Sequence, residues 1–204
     1  MYKLSFSLAV GVVFFLNGCG GSGEGTPGTQ SQHITDPLPV TAPAISESEK
    51  QAYLEAINTA RGNAQDCGTE GDFPATTDLT WNDALYKAAY EHDYDMAVSG
   101  IVNTDHTGSH TDSDYTAKVK KLDHGSTIQE RIENNGYTDW KAIGENLTAG
   151  TKKDTAEKAV EAWLKSDRHC ANLMNPNFKE VGMAHIEKAG SYYTHYWTQD
   201  FGAR

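Results

Sequence analysis

Three stretches of the chain carry apolar residues at the spacing of an amphipathic helix. The first follows Ser46 and Glu49, which have the sequence pattern of a capping box. The second follows Asn82, a residue type that caps helices well, and we expect it to close at Gly100. The third is predicted after Asp154, which we interpret as its cap. The larger elements of the folded part are therefore predicted to be helices.

The remaining folded part is predicted to contain a long loop, a short helix and a hairpin. Residues 101–126 are rich in Asp, Thr, Ser and Gly and show no sustained period, which favours a loop. A short helix is predicted at 128–134. Residues 181–187 and 191–201 have the pattern of two strands joined by a turn around 189–190. Helices followed by a terminal hairpin, without regular βαβ alternation, indicate an α+β layered domain.

The first 18 residues have the pattern of a signal peptide. Lys3 precedes an apolar run at 4–16, which is too short to span a hydrocarbon core of about 30 Å. The run leads into Leu-Asn-Gly-Cys at 16–19, which resembles a bacterial lipobox. We therefore predict export, acylation of Cys19, and attachment to a lipid bilayer of the bacterial cell envelope. Ordinary secretion, in which Cys19 is incidental, is the alternative.

Most of the net negative charge of the chain lies in the part that follows a predicted tether. Residues 19–46 hold no Lys or Arg and are dominated by Gly, Ser, Thr and Pro, a composition typical of a flexible spacer. The folded domain is then expected at 47–204, where 16 basic and 26 acidic residues give a net charge of −10. Nucleic acid is excluded as a partner by this balance, because its affinity depends on Lys and Arg at the phosphates.

Five polar residues from three segments are the candidates for chemistry. His106 and His110 lie four apart in the predicted loop, Glu145 lies beside an amide, and Ser166 and His169 lie three apart near a predicted helix end. Neutral imidazole and carboxylate suit Zn²⁺, so His106, Glu145 and His169 are a tentative metal set. They would also suit a general acid/base pair, with Glu145 as the candidate base. A hydrogen-bonded cluster that only ties loops together is the third interpretation.

Two cysteines remain after Cys19, and the familiar catalytic signatures are absent from the sequence. In an exported protein, Cys67 and Cys170 most simply form one disulfide, although a metal pair or a catalytic thiol is an alternative. The chain has no HExxH, GxSxG, Walker, GxGxxG or EF-hand pattern. The sequence therefore names no reaction by itself.

A series of short motifs follows in a fixed order from about Tyr53 to Gly202. They are INTAR at 57–61, LTWNDAL at 79–85, AxxHxxxM at 89–96, the loop of His106, Arg-Ile at 131–132, GENL at 144–147, WLxSxxHxxNLM at 163–174, VGM at 181–183 and YWTQDFG at 196–202. This order resembles the CAP superfamily of cysteine-rich secretory proteins, antigen 5 and pathogenesis-related 1, also called SCP domains. The block at 163–174 resembles its bacterial branch.

The resemblance implies a three-layer α-β-α sandwich with a central cleft lined by two histidines and acidic residues. Glu145 matches the Glu of the family's GEN motif, and His169 matches the second histidine of bacterial members. His106 best matches the first cleft histidine, with His110 as a competitor because the loop is long. In eukaryotic members a second Glu stands where this chain has Ser166.

The resemblance leaves three functions open. In the family the cleft is associated with divalent metal in some members, with lipid or sterol in others, and with disputed proteolysis in a few. The first hypothesis is a membrane-tethered binding module for a small, lipid or extended extracellular ligand, held directly or through Zn²⁺. The second is a hydrolase of the cell wall or of an extracellular polymer, with Glu145 as general base. The third is a structural or adhesion protein whose cleft has no function.

Overall fold

The computed structural model describes residues 40–204, and within them the predicted helices surround a four-stranded sheet. The predicted signal peptide, Cys19 and most of the predicted tether lie outside the described residues. The helices are α1 Glu47–Arg61, α2 Asp83–Ser99, α3 Tyr115–Lys120, α4 Ile128–Asn134, α5 Ala156–Leu164 and α6 Asp167–Leu173. The strands are β1 Gln65–Asp66, β2 Asp72–Phe73, β3 Thr80–Trp81, β4 Ala142–Ala149, β5 Glu180–Glu187 and β6 His195–Ala203. In the part of the chain that the structure describes, no helix is both long and apolar enough to span a bilayer.

The caps predicted for the first two helices are confirmed, and that of the third is shifted. Ser46 and Glu49 form the capping box that opens α1. The side chain of Asn82 accepts from the first amides of α2, and Gly100 closes this helix in a left-handed conformation. The prediction that Asp154 caps α5 is wrong. Thr155 is the N-cap, because its side chain accepts the backbone N–H three residues on.

The predicted loop and hairpin are partly confirmed. The loop at 101–126 contains α3, which Asp114 caps through a hydrogen bond to Ala117 N. Strand β6 begins only at His195, so the hairpin connection at 188–194 is longer than predicted. The sequence reasoning missed β4, whose central residues are polar and which therefore lacks the alternation of a half-buried strand.

The sheet has the strand order β3-β5-β6-β4, which makes β4 an edge strand. Strand β3 is parallel to β5, while β5 and β4 are both antiparallel to the central β6. Helices α1 and α5 pack on one face through an apolar core that includes Trp163 and Phe201. Helix α2 packs on the other face, and a Cβ at Gly182 would lie 1.9 Å from the backbone N of Tyr86. Glycine is thus required for α2 to approach β5, and the layers form the predicted α-β-α sandwich.

The last part of the predicted tether packs on the domain. Val40 contacts the apolar cluster at the C-terminal half of α2, while Ala42 and Ile45 contact a second cluster at its N-terminal half. The hydroxyl of Tyr86 donates to the carbonyl of Pro43 at 3.1 Å. The folded unit therefore starts before residue 47, the boundary that composition suggested.

Candidate functional site

A cleft of about 1190 Å³ opens beside the edge strand β4. Four of the five predicted site residues line it: His106, Glu145, Ser166 and His169. His106 comes from the loop after α2, Glu145 from the centre of β4, and the other two from the start of α6. The edge of the sheet is where groups from both helical layers meet, so segments far apart in sequence converge there.

The backbone and the ring of His106 are both held in place. Its φ of 65° lies in the left-handed region, which non-glycine residues seldom adopt. Arg131 Nη2 donates to its carbonyl at 3.0 Å. Its Nδ1 lies 3.1 Å from Glu145 Oε1, and an ionised carboxylate can only accept, so this nitrogen carries the proton. The ring is thereby directed into the cleft, with its centroid 6.0 Å from that of His169.

The Ser166 hydroxyl orients the second cleft imidazole. Ser166 stands at the N-cap of α6, yet its side chain makes no capping bond. Its Oγ lies 3.0 Å from His169 Nδ1 instead. Burial, with smaller contributions from His106 and Lys153, lowers the pKa of His169. The imidazole is therefore neutral at pH 7.

The floor of the cleft is a buried ion pair between Glu145 and Arg131. Arg131 Nη2 donates to both carboxylate oxygens, at 3.1 and 2.9 Å. The side chain of Arg131 is 1% exposed and that of Glu145 is 2% exposed. Burial works against ionisation, but Arg131, with His92 and His106, holds the pKa of Glu145 well below its usual range. Arg131 was recognised in the sequence as part of a motif, but a single arginine in a short helix indicated no role.

Further titratable groups lie behind this floor. His92 Nε2 is 3.8 Å from Glu145 Oε1, and burial lowers the pKa of His92 to about 3. Asp200 faces Glu145 across the β4–β6 ladder, and its carboxyl interacts with the carboxylate of Glu145. Burial and the nearby charge of Glu145 raise the pKa of Asp200 well above its ordinary value. Sequence reasoning recognised Asp200 as part of the motif at 196–202 but gave it no role.

His110, the competitor for the first cleft position, lies outside the cleft. Its Nε2 is 3.2 Å from the carbonyl of Leu122, and its backbone N–H donates to Asp114. It lines a separate surface depression next to α3. The geometry thus selects His106 as the cleft residue.

As possible metal ligands the cleft offers two imidazoles, and not the set of three ligands that was inferred from the sequence. Within residues 40–204 no group of three or more His, Cys, Asp or Glu side chains is placed to hold a metal ion. Both oxygens of Glu145 are engaged by Arg131. His106 and His169 each have Nδ1 held by a neighbour, the arrangement that commonly orients imidazole ligands.

The predicted disulfide is confirmed, and it supports the wall of the cleft. Cys67 and Cys170 are bonded across a sequence separation of 103, and both are buried. Cys170 follows His169 directly in α6. The Asp167 carboxylate also accepts hydrogen bonds from the backbone and hydroxyl of Thr69. The segment with β1 and β2 is thereby attached to the helix that carries the second imidazole.

Comparison with known proteins agrees with this geometry. The model of the cysteine-rich secretory protein family, CAP, matches residues 54–201. The chain belongs to the CAP family. A curated relative of the CAP chain, the uncharacterized protein YkwD of Bacillus subtilis, is 42% identical over 62 residues, which is 30% of this chain and 21% of YkwD. The uncharacterized membrane protein YlbC of the same organism is 28% identical over 123 residues, or 60% of this chain and 28% of YlbC.

The CAP chain thus spans about a quarter of the length of these curated relatives.

Among solved structures, an extracellular protein containing an SCP domain from Bacillus anthracis str. Ames aligns with a TM-score of 0.51 at 17% identity. The alignment covers 80% of this chain and 45% of that protein. At this level of identity the likeness supports the CAP fold and does not identify a ligand.

Proposed function

We propose that this chain is an exported CAP-domain protein, attached to the cell envelope through acylated Cys19, whose cleft binds a small or extended polar ligand. The polar lining of the cleft favours such a ligand over a lipid, because apolar surface is the main source of affinity for acyl chains. His106 and His169 face one another across the cleft and would supply the main contacts.

The observation that carries the proposal is the engagement of Glu145. A general base must accept a proton from the substrate and works best with a pKa near the operating pH. Both oxygens of Glu145 accept from Arg131, and the pKa of the carboxyl is lowered. Glu145 is therefore a structural anion that orients His106, which argues against the hydrolase in which it is the base.

The paired imidazoles can be tested with Zn²⁺ as a probe. We would titrate zinc into chain 20–204 at pH 7.5 by calorimetry and compare wild type with His106→Ala, His169→Ala and His110→Ala. We expect one zinc ion to bind per chain. Both cleft variants should lose this binding, because each removes one of the two imidazoles that would hold the ion. His110→Ala is the matched control and should bind like wild type, because His110 lies outside the cleft.

Loss of binding in His110→Ala, or full binding in both cleft variants, would contradict the assignment of the cleft. A second assay separates binding from hydrolysis. Incubation with insoluble peptidoglycan should release no soluble fragments, whereas release by the wild type that Glu145→Gln abolishes would establish the hydrolase instead.

A further inference from the structure

One end of the domain exposes large apolar side chains. Among the described residues, four large hydrophobic side chains are exposed: Val98, Ile101, Val119 and Tyr192. Three of these lie in two segments, 97–104 at the end of α2 and 188–194 in the β5–β6 connection. Tyr192 is 84% exposed, and an aromatic ring left in water in this way is a common feature of binding surfaces. We call Val98, Ile101 and Tyr192 the apolar end.

The two segments are joined and rest on the core. Lys188 Nζ donates to the carbonyl of Ala97 at 2.8 Å, which ties the hairpin connection to the last turn of α2. The Tyr192 ring packs edge-on against Tyr193, with 4.7 Å between centroids. Tyr193 and Val102 in turn pack on the buried cluster of α2, β5 and β6. The apolar end is therefore a supported surface and not two separate loop tips.

The charge at this end differs from that of the domain. Residues 97–104 contain no charged residue, and 188–194 contain Lys188 as their one charged residue, although Asp105 and Glu187 flank them and 47–204 carry a net charge of −10. Acidic groups would be repelled by an anionic bilayer surface. These two segments are thus among the parts of the domain that can approach such a surface at the lowest electrostatic cost.

The chain enters the folded unit at the same end. Val40, the first described residue, packs on the same cluster as Val102 and Tyr193. Twenty residues, 20–39, separate it from Cys19. Even fully extended they reach at most about 70 Å at roughly 3.5 Å per residue. A membrane that holds Cys19 is therefore within reach of the surface against which Val40 packs.

We propose that the apolar end docks on the bilayer that holds acylated Cys19, an inference that rests on the anchoring proposed above. Tyr192 enters the headgroup region with Ile101 and Val98, while Lys188 holds the hairpin connection to the last turn of α2. A patch of this size would bind free vesicles weakly. An anchor converts docking into an intramolecular step, for which a weak contact suffices.

Hydrogen–deuterium exchange on the full acylated protein tests this docking. The protein would be reconstituted into vesicles of phosphatidylethanolamine and phosphatidylglycerol, and the soluble chain 20–204 without vesicles would be the reference. We expect exchange to slow several-fold at 97–104 and 188–194 and to stay unchanged at 115–121. Ile101→Ser with Tyr192→Ser should restore fast exchange, whereas Val119→Ser, which removes an exposed apolar residue elsewhere, should not.

Two readouts separate the possible failures. Mass spectrometry of the peptide that contains Cys19 reports acylation, so its absence overturns the anchoring and, with it, the docking. Acylated protein without protection at the two segments overturns the docking alone. Slowed exchange in 20–204 that depends on protein concentration and needs no vesicles would assign the surface to a second copy of the chain, and would also overturn the proposal.

Discussion

The two faces of the sheet are built in opposite ways. The face toward α1 and α5 buries apolar side chains, among them Ile57, Trp163, Val181, Met183 and Phe201. The face toward α2 and α4 has apolar clusters as well, but it also buries titratable side chains, among them His92, Asp93, Arg131, Glu145 and Asp200. The stability of one layer thus depends mainly on the removal of apolar surface from water, whereas that of the other depends also on protonation and pairing.

The polar face shows how buried titratable groups are accommodated. Burial is the main cause that raises the pKa values of Asp93 and Asp200 and lowers that of His92 to about 3, so each of these groups is shifted toward its neutral form. Glu145 remains ionised because a guanidinium reaches both of its oxygens. The charge that remains lies at the edge of the sheet, next to the cleft, and this is where we place function.

The largest effect is expected from removing the cation of the polar face. Arg131→Met removes the cation that pairs with buried Glu145 and leaves His106 as a hydrogen-bond partner of this carboxylate, so it should lower the free energy of unfolding by about 3–5 kcal/mol. Urea denaturation of 20–204 at pH 7.5 measures it. Arg204→Met is the matched control, because its ion pair with Glu180 lies at the surface and its loss should cost much less. Equal losses in the two variants would show that burial does not distinguish these pairs.

A smaller effect is expected from the removal of a single methylene group on the apolar face. Ile57 is fully buried among α1, α5 and the sheet, so Ile57→Val should cost about 0.5–1.5 kcal/mol. The same denaturation experiment applies, and the loss should not change between pH 5 and 8, since the side chains that share its cluster carry no charge at these pH values. A pH-dependent loss would mean that the two faces are coupled through the sheet.

The smallest change at acidic pH is expected for Asp200→Asn. A neutral amide then replaces a carboxyl that is already neutral in the folded state, so stability at pH 5 should stay within about 1 kcal/mol of wild type. The folded protein keeps a proton on Asp200 that the unfolded chain releases above its ordinary pKa of 3.8. Wild-type stability therefore falls as pH rises, and the variant lacks this loss.

Thermal denaturation of both proteins from pH 5 to 8 measures the difference. The variant should become progressively more stable than the wild type as pH rises. A constant difference across this range would show that Asp200 is ionised in the folded state, and the neutral interpretation of the polar face would be wrong.

The main helices of both faces could be predicted from the sequence, whereas the pairing of the buried titratable groups could not. The caps at Ser46 and Asn82 and the helical spacing behind them depend on neighbours within a few residues, so local patterns suffice. Strand β4 was missed because its pairing with β6 and its position at the sheet edge are long-range properties. Glu145, at its centre, was nevertheless recognised through the motif that contains it.

The site shows the same division between local and long-range information. The sequence identified His106, Glu145, Ser166 and His169 as residue types suited to one chemistry, and all four line the cleft. It preferred His106 but left His110 as a competitor, since spacing within a loop does not reveal which ring faces inward. Arg131 was not assigned a role, because a buried cation has a function only in relation to the anion that it meets.

By itself the sequence determined the family, the main helices, the disulfide partners and the residue types of the cleft. These follow from local periodicity, motif order and the count of cysteines. The tertiary structure decided that His106 and not His110 lines the cleft, that Glu145 is paired with Arg131, and that Asp200 lies behind them. Protonation and pairing depend on distances and burial between segments far apart in the chain, and these distances exist only once the layers have packed.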